Sequence, residues 1–287
     1  EKYRVLKTLG NFNNEIGLPL TVFRLTEDDE VAVLEMGISD FGEMDRLSKI
    51  AQPDICVITN IGLCHLENLG TRDGILKAKT EIFNHMNPDG IVIVNGDDDK
   101  LSTISQVHGK RPLVFGISNK DGVYADNIKS LGLDGTSFTI HGIKTSDNYS
   151  TFDLTVPVPG HHMVYNAMAA ALVGSVLGLS SIEIERGVKN LKTIAGRNNI
   201  IKENGFTIID DCYNANPVSM KASLDVLDTA IGRKVAILGS MFELGENEKQ
   251  MHYDVGMYLG PKDIDVLITA GDLAAQIAAG TRAYIEA

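Results

Sequence analysis

The stretch Ile55-Cys-Val-Ile-Thr-Asn-Ile-Gly62-Leu-Cys-His65-Leu-Glu67 decides the fold of this chain. Its first part is an unbroken run rich in β-branched residues, which predicts a buried strand of a parallel sheet that stops at Gly62. Ligands of open α/β sheets bind just beyond the carboxyl ends of the strands. We therefore expect His65 to lie at a functional site, although a histidine satisfied within its own loop would have the same local sequence.

A helix is predicted from Arg72 to Met86, because apolar residues recur there at helical spacing. Lys79 lies near the apolar side of this helix, in the string Ala78-Lys-Thr-Glu81. Considered alone, it is equally well explained as a solvated lysine like its neighbour Lys77. Its position one helix after the His65 loop makes it a second candidate for the site.

Length and charge limit the classes of protein that fit. The chain has 287 residues, of which 44% are hydrophobic, and this is enough for two domains with separate cores. Its net charge of -12 argues against a nucleic-acid or membrane-surface partner. An anionic ligand must then be held by local basic groups, glycine-rich turns, helix N-termini or a metal ion, for which Mg²⁺ is a natural candidate.

The cysteines and the longest apolar run favour a cytoplasmic protein. Cys56, Cys64 and Cys212 show no CxxC spacing, which argues against a zinc site or a disulfide framework and suits a reducing compartment. The longest apolar run, residues 167–179, contains two glycines and is shorter than the roughly 20 residues of a membrane span. We also expect a monomer.

Alternating strands and helices predict an α/β fold with two domains. In residues 1–193, a mostly parallel sheet is expected to include Ile91 to Val94 and to carry an antiparallel excursion at its edge between residues 112 and 157. In residues 194–287, strands and helices alternate simply, which predicts a Rossmann-like parallel sheet. Its strands are predicted at residues 207–209, 234–238 and 266–269. The second domain lacks a GxGxxG fingerprint, so a dinucleotide cofactor has little support.

Polar residues collect at two places in the first domain. Glu35 ends an apolar strand predicted from Val31, and an acid at the end of a strand covered on both faces must be paired, protonated or bound to a metal, unless it simply caps the strand. The loop 10–19 crowds three asparagines between glycines. Their amides suit polar ligand groups, but asparagine and glycine equally favour an ordinary turn.

Two later segments carry further candidates. His162 and Asn166 share one face of an alanine-rich helix, where close packing explains the alanines but not these two side chains. The string Asp210-Asp-Cys-Tyr-Asn-Ala-Asn-Pro217 places acids and amides beyond a strand, which suits a hydroxyl-binding cluster. Its Asn216-Pro217 pair is also an ordinary helix start.

Taken together, these strings resemble those of the Mur ligase family, the ATP-dependent amide-forming enzymes of bacterial cell-wall synthesis. Six strings occur in the family's order and span nearly the whole chain, which is far more specific than any one of them. They are Gly10-Asn-Phe-Asn-Asn-Glu-Ile-Gly-Leu-Pro19, Glu35-Met-Gly37, Asn60-Ile-Gly-x-x-His-Leu-Glu67, Ala78-Lys-x-Glu-Ile-Phe83, Asp210-Asp-x-Tyr-Asn-Ala-Asn-Pro217 and Glu243-Leu-Gly245. The first and fifth are most similar to the branch that joins D-alanyl-D-alanine to UDP-N-acetylmuramoyl-tripeptide.

The resemblance implies a central ATPase-type domain with a mostly parallel sheet, followed by a Rossmann-like C-terminal domain, with both incomplete in this chain. It implies ATP and Mg²⁺ as cofactors, with Glu35 and His65 as Mg²⁺ ligands and Lys79 as a lysine that becomes carbamylated and supplies a further oxygen ligand. The residues implied at the nucleotide are His162, Asn166, Arg197, Asp211, Tyr213, Asn214 and Asn216. Those implied on the muropeptide side are Asn11, Asn13 and Asn14.

The sequence departs from the family pattern in two ways. Ser240 stands where many relatives have Asp. More seriously, no GxxxxGK[ST] phosphate loop occurs in the 287 residues, whereas in relatives this loop and a UDP-binding domain precede the position of Glu1. We therefore expect a truncated ligase that is inactive by itself. The alternatives are another amide ligase of the same superfamily, and a non-catalytic nucleotide- or muropeptide-binding module without a phosphate loop.

Overall fold

The computed structural model describes residues 2–287. The chain opens with a two-stranded parallel sheet of β1 (Val5–Lys7) and β2 (Val31–Val33), with α1 (Gly17–Val22) between them and α2 (Glu43–Ala51) after them. Val33 is 54% exposed. The expectation that this strand is covered on both faces was therefore wrong, because β2 belongs to the small sheet instead of the main one.

The main sheet has six strands in the order β3-β4-β5-β6-β7-β8. The pairs from β3 to β6 are parallel, and β7 and β8 add to the edge in antiparallel fashion. The antiparallel excursion predicted between residues 112 and 157 is therefore confirmed for β7 and β8, whereas β5 and β6, in the same range, continue the parallel sheet. The strands are β3 (Ile55–Ile58), β4 (Ile91–Asn95), β5 (Leu113–Gly116), β6 (Val123–Ser130), β7 (Thr136–His141) and β8 (Thr151–Val156). β3 ends before Gly62, although Ile61 is still buried.

Both faces of this sheet are buried, as the unbroken apolar strands predicted. On β4, Ile93 belongs to the core that includes Met168, whereas Val92 and Val94 belong to a second core that includes Leu47. The remaining helices of this part are α3 (Leu66–Leu69), α4 (Arg72–Thr80), α5 (His162–Val176) and α6 (Ser181–Lys189), and a 3-10 turn at Glu81–Phe83 continues α4. Polar side chains are therefore left to the ends of the strands.

The last part of the chain has its own core, which includes Leu224, Val255 and Ile277. Its elements are β9 (Asn199–Glu203), β10 (Phe206–Asp210), α7 (Pro217–Asp228), β11 (Val235–Gly239), α8 (Glu248–Leu259), β12 (Val266–Ala270) and α9 (Ala275–Glu286). β11 and β12 are parallel neighbours joined through α8, as predicted.

The expectation that β10 joins this parallel sheet was wrong, because β10 pairs antiparallel with β9, a strand that the sequence analysis did not anticipate. Asn204 and Gly205 connect the two strands with φ of 49° and 80°. An Asn-Gly pair with positive φ at both residues is the turn that favours a two-residue hairpin.

The segment between α6 and β9 is tied to the second domain. The N–H of Gly196 donates to Asp210 Oδ2 at 2.8 Å, and its carbonyl accepts from the Tyr213 N–H at 3.1 Å. The domain boundary near residue 193 stays a prediction. None of the helices within residues 2–287 is long and apolar enough to cross a bilayer.

Candidate active site between the two domains

The loop after β3 is held firmly before it reaches His65. The Ile61 N–H donates to Asp98 Oδ2 at 2.8 Å, and Arg72 Nε donates to the Ile61 carbonyl at 3.0 Å. His65 itself has a left-handed backbone, with φ of 58°, which costs a non-glycine residue about 1–2 kcal/mol. Strained residues of this kind concentrate at functional sites.

Lys79 lies on α4, close to this loop. Its side chain is only partly exposed, and burial lowers the pKa of its ammonium group, while the neighbouring Cys64 and Glu35 act in the opposite direction. Its Nζ donates no hydrogen bond within the part of the chain that the structure describes. Lys77, in contrast, is exposed and lies over the ring of Phe41. Lys79 is thus the lysine of this helix that is suited to react as a neutral amine.

Glu35 lies two residues beyond β2 and is exposed. Its Oε1 accepts from Asn13 Nδ2 at 2.9 Å, and its own N–H donates to Thr8 Oγ1 at 2.9 Å. Gly37 leaves room for this contact, since a Cβ there would lie 2.9 Å from Asn13 Nδ2. Oε2 accepts no hydrogen bond from residues 2–287. One carboxylate oxygen is therefore free, within electrostatic reach of Lys79.

The other two asparagines of the first loop have different roles. Asn14 Oδ1 accepts from the N–H groups of Ile16 at 3.1 Å and Gly17 at 2.8 Å, so this side chain holds the turn that leads into α1. Asn11 reaches the second domain, where its Nδ2 donates to the Tyr213 hydroxyl at 2.6 Å. Asn11 and Asn13 therefore contact other predicted site residues, whereas Asn14 supports the loop.

Asp211 is already bonded on both of its oxygens. Oδ1 accepts from the Asn198 N–H at 2.9 Å, and Oδ2 accepts from the Ser223 hydroxyl. Asn198 also reaches the first domain through Nδ2, which donates to the Pro159 carbonyl at 2.8 Å. Since a carboxylate has roughly four acceptor positions, Asp211 combines a structural role with remaining capacity for a ligand hydroxyl.

Asn216 uses both ends of its side-chain amide. Its Oδ1 accepts from the N–H groups of Val218 and Ser219 and so caps α7, with Pro217 in the first turn. Its Nδ2 donates to Cys64 Sγ at 3.2 Å, across the domain interface. The helix start predicted from this pair is confirmed, and the same side chain touches the loop that carries His65.

Tyr213 is the centre of a second contact between the domains. Its hydroxyl accepts from Asn11 Nδ2, and its ring lies beneath Arg197, whose guanidinium carbon is 4.0 Å from the ring centroid. Such cation–π contacts orient an arginine while leaving its N–H groups available. Asn214 is exposed, and among the residues that the structure describes its Oδ1 accepts only from the adjacent Ala215 N–H.

His162 and Asn166 share a face of α5, as their spacing predicted, but they have different environments. His162 is half-buried, and this burial lowers the pKa of its imidazole, against the charge of Asp211 in the second domain. Asn166 is exposed, and within residues 2–287 its side chain donates only to Met163 Sδ, at 3.5 Å. Only His162 is thereby linked to the other predicted nucleotide residues.

The predicted metal ligands form no closed protein cage. Residues 2–287 bring no three His, Cys, Asp or Glu side chains together in a way that could hold a metal ion. Mg²⁺ is often held by one or two carboxylates together with substrate phosphates, and Glu35 fits that pattern through its free Oε2. His65 is less open, because its Nδ1 lies 2.6 Å from Glu243 Oε2, which leaves Nε2 for any ligand.

The sequence analysis assigned no role to Cys64 or Glu243, yet both contact predicted site residues across the interface. Nothing local marks Cys64, whose partner Asn216 is 152 positions away. Glu243 did carry a signal, since it follows β11 just as His65 follows β3. The rule that ligands bind beyond the strand ends applies equally to both loops.

The fold and the site define a two-domain α/β protein whose polar groups meet between a central sheet domain and a Rossmann-like domain. The chain belongs to the Mur ligase family: the profile of the Mur ligase middle domain matches residues 1–174, and that of the Mur ligase, glutamate ligase domain matches residues 196–286. The family and the α/β fold class predicted from the sequence are thereby confirmed.

Named relatives cover nearly all of this chain. It is 42% identical to the UDP-N-acetylmuramoyl-tripeptide–D-alanyl-D-alanine ligase of Bacillus subtilis (strain 168), over 99% of this chain and 61% of that protein. A crystal structure of MurF from Acinetobacter baumannii superposes with a TM-score of 0.89 and 35% identity, over 98% of this chain and 60% of that one. The MurF ligase from Thermotoga maritima in complex with ADP has a TM-score of 0.80 and 27% identity, over 99% and 74%. The chain thus spans less than two thirds of the Bacillus relative.

Proposed function

We propose that the protein containing this chain is an ATP-dependent amide ligase that joins D-alanyl-D-alanine to UDP-N-acetylmuramoyl-tripeptide. The observation that carries the proposal is that Lys79 lies within electrostatic reach of Glu35 and Cys64, and that Cys64 in turn accepts a hydrogen bond from Asn216 of the second domain. The name of the Bacillus relative supports this choice of substrates. The ADP complex of the Thermotoga neighbour supports a nucleotide as ligand.

In this reaction, the terminal carboxylate of the tripeptide attacks the γ-phosphorus of ATP, which gives an acyl phosphate and ADP. The amine of D-alanyl-D-alanine then attacks the acyl carbon, loses a proton and expels phosphate. No side chain has to act as a nucleophile, because such transfers are catalysed mostly by positioning and charge neutralisation. Mg²⁺ would supply part of that neutralisation at the phosphoryl group.

The first domain would provide the groups nearest the phosphates. Glu35 would hold Mg²⁺ through its free Oε2, and His65 would present Nε2. Lys79 would react as the neutral amine with CO₂, releasing a proton and forming an anionic carbamate with hard oxygen ligands. Its lowered pKa favours the neutral amine that this step needs.

The second domain would hold the nucleotide and close the site. Asp211 would accept from a ribose hydroxyl, and Arg197, oriented by Tyr213, would reach the phosphates. His162 would approach the nucleotide from α5. On the opposite side, Asn11 would exchange its bond with Tyr213 for one with the muropeptide.

The test compares this 287-residue chain with a full-length protein that includes the upstream coding sequence. Both are incubated with ATP, Mg²⁺, UDP-N-acetylmuramoyl-tripeptide and D-alanyl-D-alanine, and amide product and released phosphate are measured. We expect product from the full-length protein. We expect none from the 287 residues, which lack a GxxxxGK[ST] loop to cradle the phosphates.

Other outcomes would identify the alternatives. Product formed only with another amine acceptor would mean a different ligase of the superfamily. Nucleotide or muropeptide binding without amide formation by the full-length protein would mean a binding module. Robust turnover by the 287-residue chain would contradict the role given to the phosphate loop.

A further inference from the structure

A contact between the domains joins two residues that both have an unfavourable backbone. His65 follows β3 with φ of 58°, and Glu243 follows β11 with φ of 61°. Their side chains meet at the interface, where His65 Nδ1 lies 2.6 Å from Glu243 Oε2. Residues other than glycine adopt positive φ at a cost and keep it only where the surroundings impose it. Backbone strain at both residues of one contact indicates that the surrounding structure holds the two residues in place for a function.

The imidazole of His65 depends on Glu243. Its Nδ1 is buried from solvent and makes no well-aligned hydrogen bond with residues 2–287. Nδ1 and Glu243 Oε2 are close, at 2.6 Å, but the angle between them is not that of a hydrogen bond. A buried N–H without an acceptor is costly, and the Glu243 carboxylate is the acceptor beside it. A proton kept on Nδ1 leaves Nε2 with a free lone pair, which is how a carboxylate orients a histidine that serves a metal or a ligand.

The loop that carries Glu243 is anchored at its base. Met241 and Leu244, on either side of the exposed pair at its tip, are buried in the core of the second domain, which includes Leu224. The Met241 N–H donates to Nε2 of the buried His252 at 2.8 Å, and His252 Nδ1 faces the Glu248 carbonyl at 2.6 Å. Because both ends are fixed, the side chain of Glu243 projects from a rigid support.

The loop that carries His65 is held from the second domain at another point as well. Asn216 Nδ2 donates to Cys64 Sγ at 3.2 Å, one residue before His65. Asn216 is itself fixed as the cap of α7. Two separate elements of the second domain, the α7 cap and the loop after β11, therefore contact consecutive residues of one loop. Closure of the domains determines where His65 sits.

We propose that Glu243 is a positioning residue of the site: it orients His65 across the closed domain interface and does not touch the substrate itself. The proposal rests on the ligase function proposed above and adds to it a residue from the second domain. It makes the orientation of a first-domain side chain conditional on domain closure.

The informative variant is Glu243→Gly, because it removes the carboxylate and also relieves the positive φ. In the full-length protein, we expect kcat for amide formation to fall about tenfold, the lower end of what the loss of a carboxylate that orients a ligand residue costs. The thermal midpoint should stay unchanged or rise, and the KM for ATP should change little. Glu243→Gln retains an acceptor oxygen and should recover part of the activity.

The matched control is Glu246→Gln. Glu246 is an exposed acid close to Glu243, and its side chain makes no hydrogen bond or ion pair within residues 2–287. This variant should leave kcat and the thermal midpoint unchanged. An unchanged kcat in Glu243→Gly, or a kcat that falls only together with the thermal midpoint, would overturn the proposal. An equal loss in Glu246→Gln would also overturn it, because the effect would then be one of charge alone.

A second measurement does not require activity. The ¹⁵N chemical shifts of the His65 imidazole in the full-length protein report which nitrogen carries the proton. We expect the Nδ1–H form in the wild type and a mixture of forms in Glu243→Gly; a wild type with the proton on Nε2 would refute the orientation by Glu243. If the expected shifts occur in a protein without ligase activity, the orientation is supported and only the proposed function fails.

Discussion

The two sides of the interdomain site differ in how far their polar groups are already bonded. On the first domain, the Lys79 amine and Glu35 Oε2 have no hydrogen-bond partner within residues 2–287. On the second, both oxygens of Asp211 accept hydrogen bonds, and Asn216 uses both ends of its amide.

The Lys79 amine is both desolvated and without a hydrogen-bond partner within residues 2–287, which costs free energy, so its position indicates a requirement other than the fold. Glu35 is exposed, and its free oxygen carries no such cost. The comparison therefore assigns the chemistry to the first domain and assigns shaping and closure of the site to the second.

Among the substitutions that test this difference between the two domains, Lys79→Ala should have the largest effect. In the full-length protein, ligase turnover should fall on the order of 100-fold or more, as when one preorganised charge-stabilising group is removed from an active site. The free energy of unfolding should hardly change, since the Lys79 amine donates no hydrogen bond to the described residues 2–287. Added acetate should restore part of the activity by occupying the place of the carbamate.

Lys77→Ala is the matched control, because this lysine lies on the same helix and is exposed. It should keep full turnover with or without acetate. Normal activity in Lys79→Ala would remove the lysine from the mechanism. A high-resolution map of the full-length protein with Mg²⁺ and nucleotide bound that showed an unmodified amine would reject carbamylation.

Glu35→Ala should have the next largest effect on turnover. Loss of a metal-ligating carboxylate should lower activity about 10- to 100-fold and raise the Mg²⁺ concentration needed for half-maximal rate. The free energy of unfolding should change little, because the Glu35 side chain is exposed and its one hydrogen bond within residues 2–287, from Asn13, is at the surface. Steady-state rates over a Mg²⁺ titration measure this, with exposed Glu27→Ala as the control. A variant with normal Mg²⁺ dependence would make Glu35 a structural residue.

Unlike Lys79→Ala and Glu35→Ala, the substitution Asp211→Ala should lower the stability of the protein. It leaves the Asn198 N–H without its acceptor and removes one of the two acceptors near the Ser223 hydroxyl, the other being the Ser219 carbonyl, so the free energy of unfolding should fall by about 1–3 kcal/mol. Urea denaturation of the purified protein measures this loss. Weaker ATP binding should accompany it if the remaining acceptor positions serve the ribose. Unchanged stability with a raised KM for ATP would break the comparison, since Asp211 would then be a ligand residue only.

Asp147 is a reference for a carboxylate whose bonds are all structural. Its hydrogen bonds to Thr145 and Ser181 lower its pKa from 3.8 to about 2. A carboxyl group with a lowered folded pKa contributes stability above its unfolded pKa, and this contribution is lost as the pH falls toward the folded value. The stability difference between wild type and Asp147→Ala should therefore be full at neutral pH and shrink from pH 3.8 toward about 2, in denaturation curves taken over that range.

Local patterns were sufficient for most of the fold. The apolar runs at β3 and β4 predicted parallel strands, which are neighbours in the structure, and Asn216-Pro217 predicted the start of α7. Two expectations failed because they depended on pairing between strands. The β2 run does not reveal that it lies outside the main sheet, and β10 pairs with β9 through the Asn204–Gly205 turn, whose signal was present but was not used.

By itself, the sequence determined the elements, the family and the set of polar candidates, because helix spacing, strand runs and caps depend on residues only a few positions apart. Only the tertiary structure decided which candidates are bonded and to what. Asn11 meets Tyr213 202 positions away, and Cys64 meets Asn216 152 positions away. Such contacts follow from the packing of two separately formed cores, so no local pattern encodes them. The same packing leaves the Lys79 amine without a hydrogen-bond partner among residues 2–287 and brings Glu243 to His65.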